Sequence, residues 1–110
     1  MRLKSRFLVD LLIRRAETAG GFATVLAKGD ESSGIILVQC ADRGAPGPLL
    51  ERRFAANGAY VWEAVGPTGE DGESYENYRE RRRKADPDLW IVELDIADAP
   101  RLVAEWAALT

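Results

Sequence analysis

The run Gly34-Ile35-Ile36-Leu37-Val38-Gln39-Cys40 is apolar at nearly every position and lacks the alternation of a strand with one wet face. It is predicted to be a central strand covered on both faces, which commits the rest of the chain to building layers around it. The chain has 110 residues, 46% of them hydrophobic and 30% charged. That composition suits one globular domain over residues 1–110, with a single core that needs neither disulfide nor metal to fold.

The remaining segments supply the layers. Leu3 to Ala19 reads as a helix that stops at Gly20-Gly21. Its apolar residues occupy two sides: Leu8, Val9, Leu12, Ile13, Ala16 and Ala19 on one broad face, and Leu3, Phe7 and Leu11 on another. Such a helix wants two neighbours, the second being either another element of the same domain or another chain. Four strands are expected at Phe22 to Ala27, Gly34 to Cys40, Leu49 to Phe54 and Ala59 to Val65. The short turn-rich connections Gly29 to Gly34, Gly44 to Pro48 and Asn57-Gly58 predict hairpins between them. Charge within Leu49 to Phe54 suits an edge strand or a strand with one wet face.

The acidic loop Gly66-Pro67-Thr68-Gly69-Glu70-Asp71-Gly72 leads to a helix over about Glu73 to Ala85, ended by Asp86-Pro87. Asp88 to Leu94 reads as a fifth strand, with Glu93 and Asp95 on the wet face of an edge. A last helix begins with Asp98 as cap and Pro100 in its first turn, and Leu102, Val103, Trp106 and Leu109 mark its buried side. The expected fold class is α+β: a mainly antiparallel five-stranded sheet with three helices, in the order α-β-β-β-β-α-β-α.

Much chemistry is excluded at once. The chain has no histidine and one cysteine, Cys40, so Ser-His and Cys-His nucleophile pairs and His-containing zinc sites are absent. Cys40 ends an apolar run and is expected to pack rather than react. One cysteine and no secretory signal fit a cytoplasmic location, and no apolar run approaches the length a membrane span needs. The net charge of −3 gives no global attraction for nucleic acid. No catalytic residue, cofactor or metal is implied, and the weight falls against an enzyme.

Three local features remain. Tyr75, Tyr78, Arg79, Arg82 and Arg83 bring rings and guanidinium groups within a helical turn of one another, an arrangement able to hold RNA or another phosphate-bearing ligand. The same residues also describe a solvated helix whose acidic start and basic end suit its macrodipole, and that reading weighs more. Asp86, Asp88, Glu93, Asp95 and Asp98 lack the spacing of a calcium loop and read as turn, strand and cap residues. A divergent metal-dependent nuclease or hydrolase using Asp42, Glu51 and Asp88 rests on element order alone, since the lysine such sites carry is replaced in Glu51-Arg52-Arg53. Trp62, Trp90 and Trp106 are expected in the core; Trp62 shares a strand face with Tyr60, which would be a partner platform if left uncovered.

Met1-Arg2-Leu3-Lys4-Ser5, Gly29-Asp30, Tyr60-Val61-Trp62 and Asp86-Pro87-Asp88-Leu89-Trp90-Ile91-Val92-Glu93 together resemble the domain-of-unknown-function 1491 family of small bacterial proteins. The resemblance spans nearly the whole chain, and Asp-Pro-Asp-Leu-Trp before an apolar strand is its most specific part. It implies a bacterial, cytoplasmic, stand-alone domain and brings no activity, cofactor or catalytic residue. The functional expectation is therefore a non-catalytic binding or assembly module, a homodimer or a protein-partner complex, with Leu3, Phe7 and Leu11 as the interface.

Overall fold

A computed structural model of the chain describes residues 3–67 and 72–107. Helices α1 (Ser5–Thr18), α2 (Tyr75–Ala85) and α3 (Ala99–Ala107) and strands β1 (Phe22–Ala27), β2 (Ile36–Asp42), β3 (Ala45–Phe54), β4 (Tyr60–Val65) and β5 (Trp90–Asp95) follow the order α1-β1-β2-β3-β4-α2-β5-α3. The α+β class and the order of elements are those the sequence predicts. Residues 68–71 of the acidic loop, and Met1, Arg2 and Leu109, lie outside the described residues.

The strands form one sheet in the order β1-β5-β2-β3-β4. Pairs β1–β5, β2–β3 and β3–β4 are antiparallel and β2–β5 is parallel, so the sheet is mixed. Two expectations are corrected here. The Gly29 to Gly34 connection is not a hairpin, because β5 inserts between β1 and β2. For the same reason β5 is an interior strand and β1 takes the edge. Strand β3 is also interior, flanked by β2 and β4.

The reason β5 inserts lies in loop 29–34. Asp30 donates its amide to the Asp88 carbonyl at 2.9 Å, and the Trp90 indole Nε1 donates back to the Asp30 carbonyl at 2.7 Å. Asp30 Oδ2 accepts from the amides of Ser32 and Ser33 at 3.0 and 2.9 Å, which shapes the loop. Those amides hold the carboxyl of Asp30 below its ordinary pKa. The shaped loop then receives α1: Ser5 and Arg6 donate their amides to the carbonyls of Ser32 and Glu31, and Ser5 Oγ donates to the Gly34 carbonyl at 2.6 Å. Two orphan amides of the helix start are thus satisfied by backbone. The helix begins at Ser5, so Leu3 precedes it. Gly29 and Gly34 close on Asp88 so tightly that a methyl group at either would collide with the Asp88 carbonyl and approach the Trp90 ring.

The expected turn Gly44 to Pro48 is displaced. The turn is Arg43-Gly44, both at positive φ (54° and 81°), the signature of a two-residue hairpin. Asp95, at the end of β5, holds it by accepting from the amides of Arg43 and Gly44 at 2.7 and 2.9 Å. Pro46, Gly47 and Pro48 belong to β3. Proline is tolerated there because the register of β4 ends at Leu49↔Val65, leaving this stretch without a second neighbour. The register slips between Gln39 and Ala41, and the Gln39 side-chain Nε2 donates to the Gly47 carbonyl at 2.8 Å where the ladder is broken.

Both faces of β2 are buried, as its unbroken apolar run predicts. On one face Ile36, Val38, Cys40, Leu50, Trp90, Val92 and Leu94 pack beneath α1 (Leu8, Val9, Leu12, Ala16) and α3 (Ala99, Val103, Trp106). Each fully buried leucine or valine there contributes roughly 1.5–3 kcal/mol. Trp62 joins this layer partly buried, and Arg52 lies 3.5 Å over the Tyr60 ring, so this aromatic face is covered rather than open. The second face is smaller: Leu37, Leu49, Leu89 and Ile91 pack beneath α2. Cys40 is buried and unpaired, and burial pushes its thiol up to about 11.

Gly34→Ala should lower unfolding stability in urea by more than about 2 kcal/mol, whereas Gly44→Ala, strained only by its positive φ, should lose about 1 kcal/mol. Asp30→Asn tests the loop by pH. A depressed carboxyl stabilises the fold above its unfolded pKa of about 3.9 and loses that contribution as pH falls through the folded value. The variant should be less stable than the parent at pH 7, and the gap should close on acidification; a gap independent of pH would show that the carboxylate charge is irrelevant.

Candidate functional site

Tyr75, Tyr78, Arg79, Arg82 and Arg83 recur at the i, i+3, i+4, i+7, i+8 spacing that defines one helix face. The structure turns that face onto the sheet. Ser74 caps the helix, its Oγ accepting from the Asn77 amide at 3.0 Å, and α2 has no fully buried residue. The two rings pack against Leu37, Leu49, Leu89 and Ile91. The guanidinium groups find polar partners. Arg79 Nη1 donates to Gln39 Oε1 at 2.6 Å, and Arg82 donates to the Tyr78 hydroxyl at 2.9 Å and lies 2.8 Å from Glu51 Oε1. Arg83 donates to the carbonyls of Lys28 and Leu89, both at 2.9 Å. Partial burial works to lower the pKa of Arg82, but its bonds to Tyr78 and Glu51 outweigh that and raise it.

Gln39 and Glu51 are the residues the sequence reading missed in this cluster. Both are buried, Gln39 within the apolar run of β2 and Glu51 directly after the buried pair Leu49-Leu50 of β3. That was the available signal: a glutamine inside a run such as Ile36 to Cys40 must meet a polar partner from the covering layer. Glu51 also accepts from Arg53 Nε at 2.9 Å, so it sits between two guanidinium groups.

The carboxylates do not converge. Asp86 accepts from the Asp88 amide, Asp95 holds the Arg43-Gly44 turn, and Asp98, at φ 59°, pairs with Arg101 at 2.6 Å. Glu51 stands opposite Leu37, five residues from Asp42 along β2, which at strand rise is about 16 Å. Asp88 lies beyond the other end of β2, where Ile36 pairs with Trp90. Among the described residues no group of three or more His, Cys, Asp or Glu comes together to hold a metal ion.

Leu3, Phe7 and Leu11 are not equivalent. Phe7 is 55% exposed, Leu11 is half-buried, and Leu3 packs against the main core. The other exposed apolar surface is more concentrated. Phe22 (75%), Val25 (41%) and Leu26 (44%) all lie on β1, half of the six large apolar residues exposed among the described residues. No residue of β1 is charged. A groove of about 430 Å³ runs between β1 and α2, with Leu26, Ala27 and Ile91 on its floor and Glu76, Arg79, Glu80, Arg83 and Lys84 along its helical wall.

The model of a family described as "Protein of unknown function (DUF1491)" matches residues 3–104. The chain belongs to that family. A crystal structure of a DUF1491 family protein from Caulobacter crescentus is 37% identical, with 88% of this chain and 91% of that chain covered and a TM-score of 0.76. An NMR structure of a DUF1491 family protein from the same organism is 38% identical over 89% of each chain, with a TM-score of 0.73. A solution structure of a protein from A. tumefaciens is 36% identical over 89% of each chain, with a TM-score of 0.67. No match was found among curated proteins. The residues that carried the DUF1491 resemblance, Gly29-Asp30 and Asp88-Leu89-Trp90, are those that clamp loop 29–34 onto β5, so their role visible in this structure is architectural.

Removing Glu51 takes from Arg82 its carboxylate partner and leaves it the Tyr78 hydroxyl, while Arg53 keeps Glu63 at 3.4 Å. Glu51→Ala should lower stability by about 2 kcal/mol, discounted from a fully buried pair because Arg82 keeps some solvent contact. Hydrogen exchange should show α2 losing protection first; uniform loss across the sheet would mean that Glu51 acts on the core rather than on the helix.

Proposed function

We propose that this chain is a one-domain, non-catalytic binding or assembly module of the cytoplasm, and that it binds through the free edge of β1. The carrying observation is the exposed, uncharged edge strand bearing Phe22, Val25 and Leu26. Sheet edges are ordinarily blunted by charge, proline or a covering element, because unpaired N–H and C=O groups template pairing with another chain. Each edge strand is contacted by one helix, β1 by α1 and β4 by α3, but β4 carries Glu63 whereas β1 carries no charge. A cytoplasmic setting is supported by a buried free thiol as the sole cysteine, and no described helix is long and apolar enough to cross a membrane.

The phosphate-ligand reading of Tyr75, Tyr78, Arg79, Arg82 and Arg83 has less support, because each of those arginines already serves a sheet or loop acceptor. The hydrolase reading has least, since Asp42, Glu51 and Asp88 stand apart along the sheet.

Native mass spectrometry of the protein purified gently from the cells that make it tests the proposal. The unmodified chain should emerge in a complex, Phe22→Glu should emerge without it, and Phe7→Glu should retain it. A complex lost with Phe7→Glu but kept with Phe22→Glu would move the surface to α1, and a bare monomer throughout, with no self-association at millimolar concentration either, would refute the binding reading.

A further inference from the structure

Resting on the reading of β1 as the binding edge, we infer that its partner is β1 of a second copy, paired antiparallel about a two-fold axis at Thr24 so that two sheets become one of ten strands. The argument starts from which way each β1 side chain faces. Val25 pairs with Val92, which belongs to the α1/α3 layer, and Ala27 pairs with Ile91, which belongs to the α2 layer. Ala23 packs in the α1/α3 layer, so alternation sends Phe22 and Thr24 to the α2 side. The register slips between Val25 and Ala27, and the extra residue is Leu26. This bulge brings Leu26 and Ala27 together onto the groove floor beside Ile91.

The edge therefore carries a knob and a hole on the same face. Phe22 is the knob, three-quarters exposed at one end of the strand. The Leu26, Ala27 and Ile91 floor is the hole, at the other end. In an antiparallel pair, opposed residues share a face. An axis at Thr24 sets Thr24 against Thr24 of the second copy and Ala23 against its Val25. Once the bulged Leu26 is allowed for, Phe22 falls opposite Ala27. Each Phe22 ring then lies over the groove of the other copy, twice by symmetry. This self-complementarity is what an isologous contact requires. Because Phe22–Ala27 contains no charged residue, no like charges meet across the new ladder.

The patch is small. Covering the exposed parts of Phe22, Val25 and Leu26 and the strand backbone removes roughly 400 Å² per copy, about half of a standard interface. Contacts of that size are characteristically transient, so the pairing is reversible.

Cross-linking reads the geometry directly. Thr24→Cys places two thiols on the axis, with Cβ atoms about 5 Å apart and within reach of a disulfide after small adjustment. Under a mild oxidant it should form a covalent dimer at least about tenfold faster than Glu63→Cys on the β4 edge, and adding Phe22→Glu should abolish the difference. Cys40, buried with its thiol pushed up to about 11, stays out of the reaction. Sedimentation equilibrium of the unmodified chain should show reversible dimerisation, weakened at least about tenfold by Phe22→Glu. Equal cross-linking rates, or a chain that stays monomeric at millimolar concentration, would overturn self-pairing. If complexes from cells still depend on Phe22 in that case, the edge binds another protein and only the identity of the partner was wrong; if they do not, the binding reading fails as well.

Discussion

The grip of loop 29–34 on the start of β5 is the constraint on which the rest of the structure depends. Asp30 donates its backbone N–H to the Asp88 carbonyl, and Trp90 returns its indole N–H to the Asp30 carbonyl. Two glycines let the loop backbone come close enough for this to happen. Because β5 is seized there, it lies between β1 and β2, separating strands that are neighbours in the chain. Because the same loop offers the carbonyls of Glu31 and Ser32, α1 starts at Ser5 and lies across the apolar face. One local knot of backbone bonds thus orders a long-range topology, which a chain pays for in loop-closure entropy before any core forms.

The two faces of the sheet are held by different physics. Beneath α1 and α3, burial of aliphatic and aromatic side chains dominates. Beneath α2, a small apolar patch is supplemented by guanidinium groups that meet Gln39, Glu51 and loop carbonyls. Polar docking of this kind is directional: it places α2 accurately yet contributes little net stability, because each charge gave up water to make its bond. The groove beside β1 exists because α2 is held over Leu37, Leu49, Leu89 and Ile91 and does not extend across the edge strand on that face.

Much of this was legible in the residues. The unbroken apolar run at β2 announced a strand buried on both faces, Gly20-Gly21 ended α1, and Trp90 and Trp106 fell in the core as periodicity required. Tyr75, Tyr78, Arg79, Arg82 and Arg83 were also recognisable as one coherent helix face. Which way that face points was not legible, since an amphipathic helix is ordinarily oriented by an apolar stripe and α2 has little of one. Its orientation depends on Gln39 and Glu51, which sit on strands remote in sequence. The Gly44 to Pro48 segment misled for a related reason: its prolines suit turns locally, and only the end of the β4 register shows that a strand can accommodate them.

By itself, the sequence determined the element order, the burial of β2 and the exclusion of histidine chemistry, because these follow from local periodicity and residue type. Only the tertiary structure decided the order of strands in the sheet, and with it which strand has a free edge. Strand order is set by contacts between segments far apart in the chain, here the bond between the loop at Asp30 and the strand entry at Asp88, and no local pattern in Phe22 to Ala27 distinguishes an edge strand from an interior one. The exposed face of this protein is thus a consequence of where β5 was captured, and not of anything β1 encodes alone.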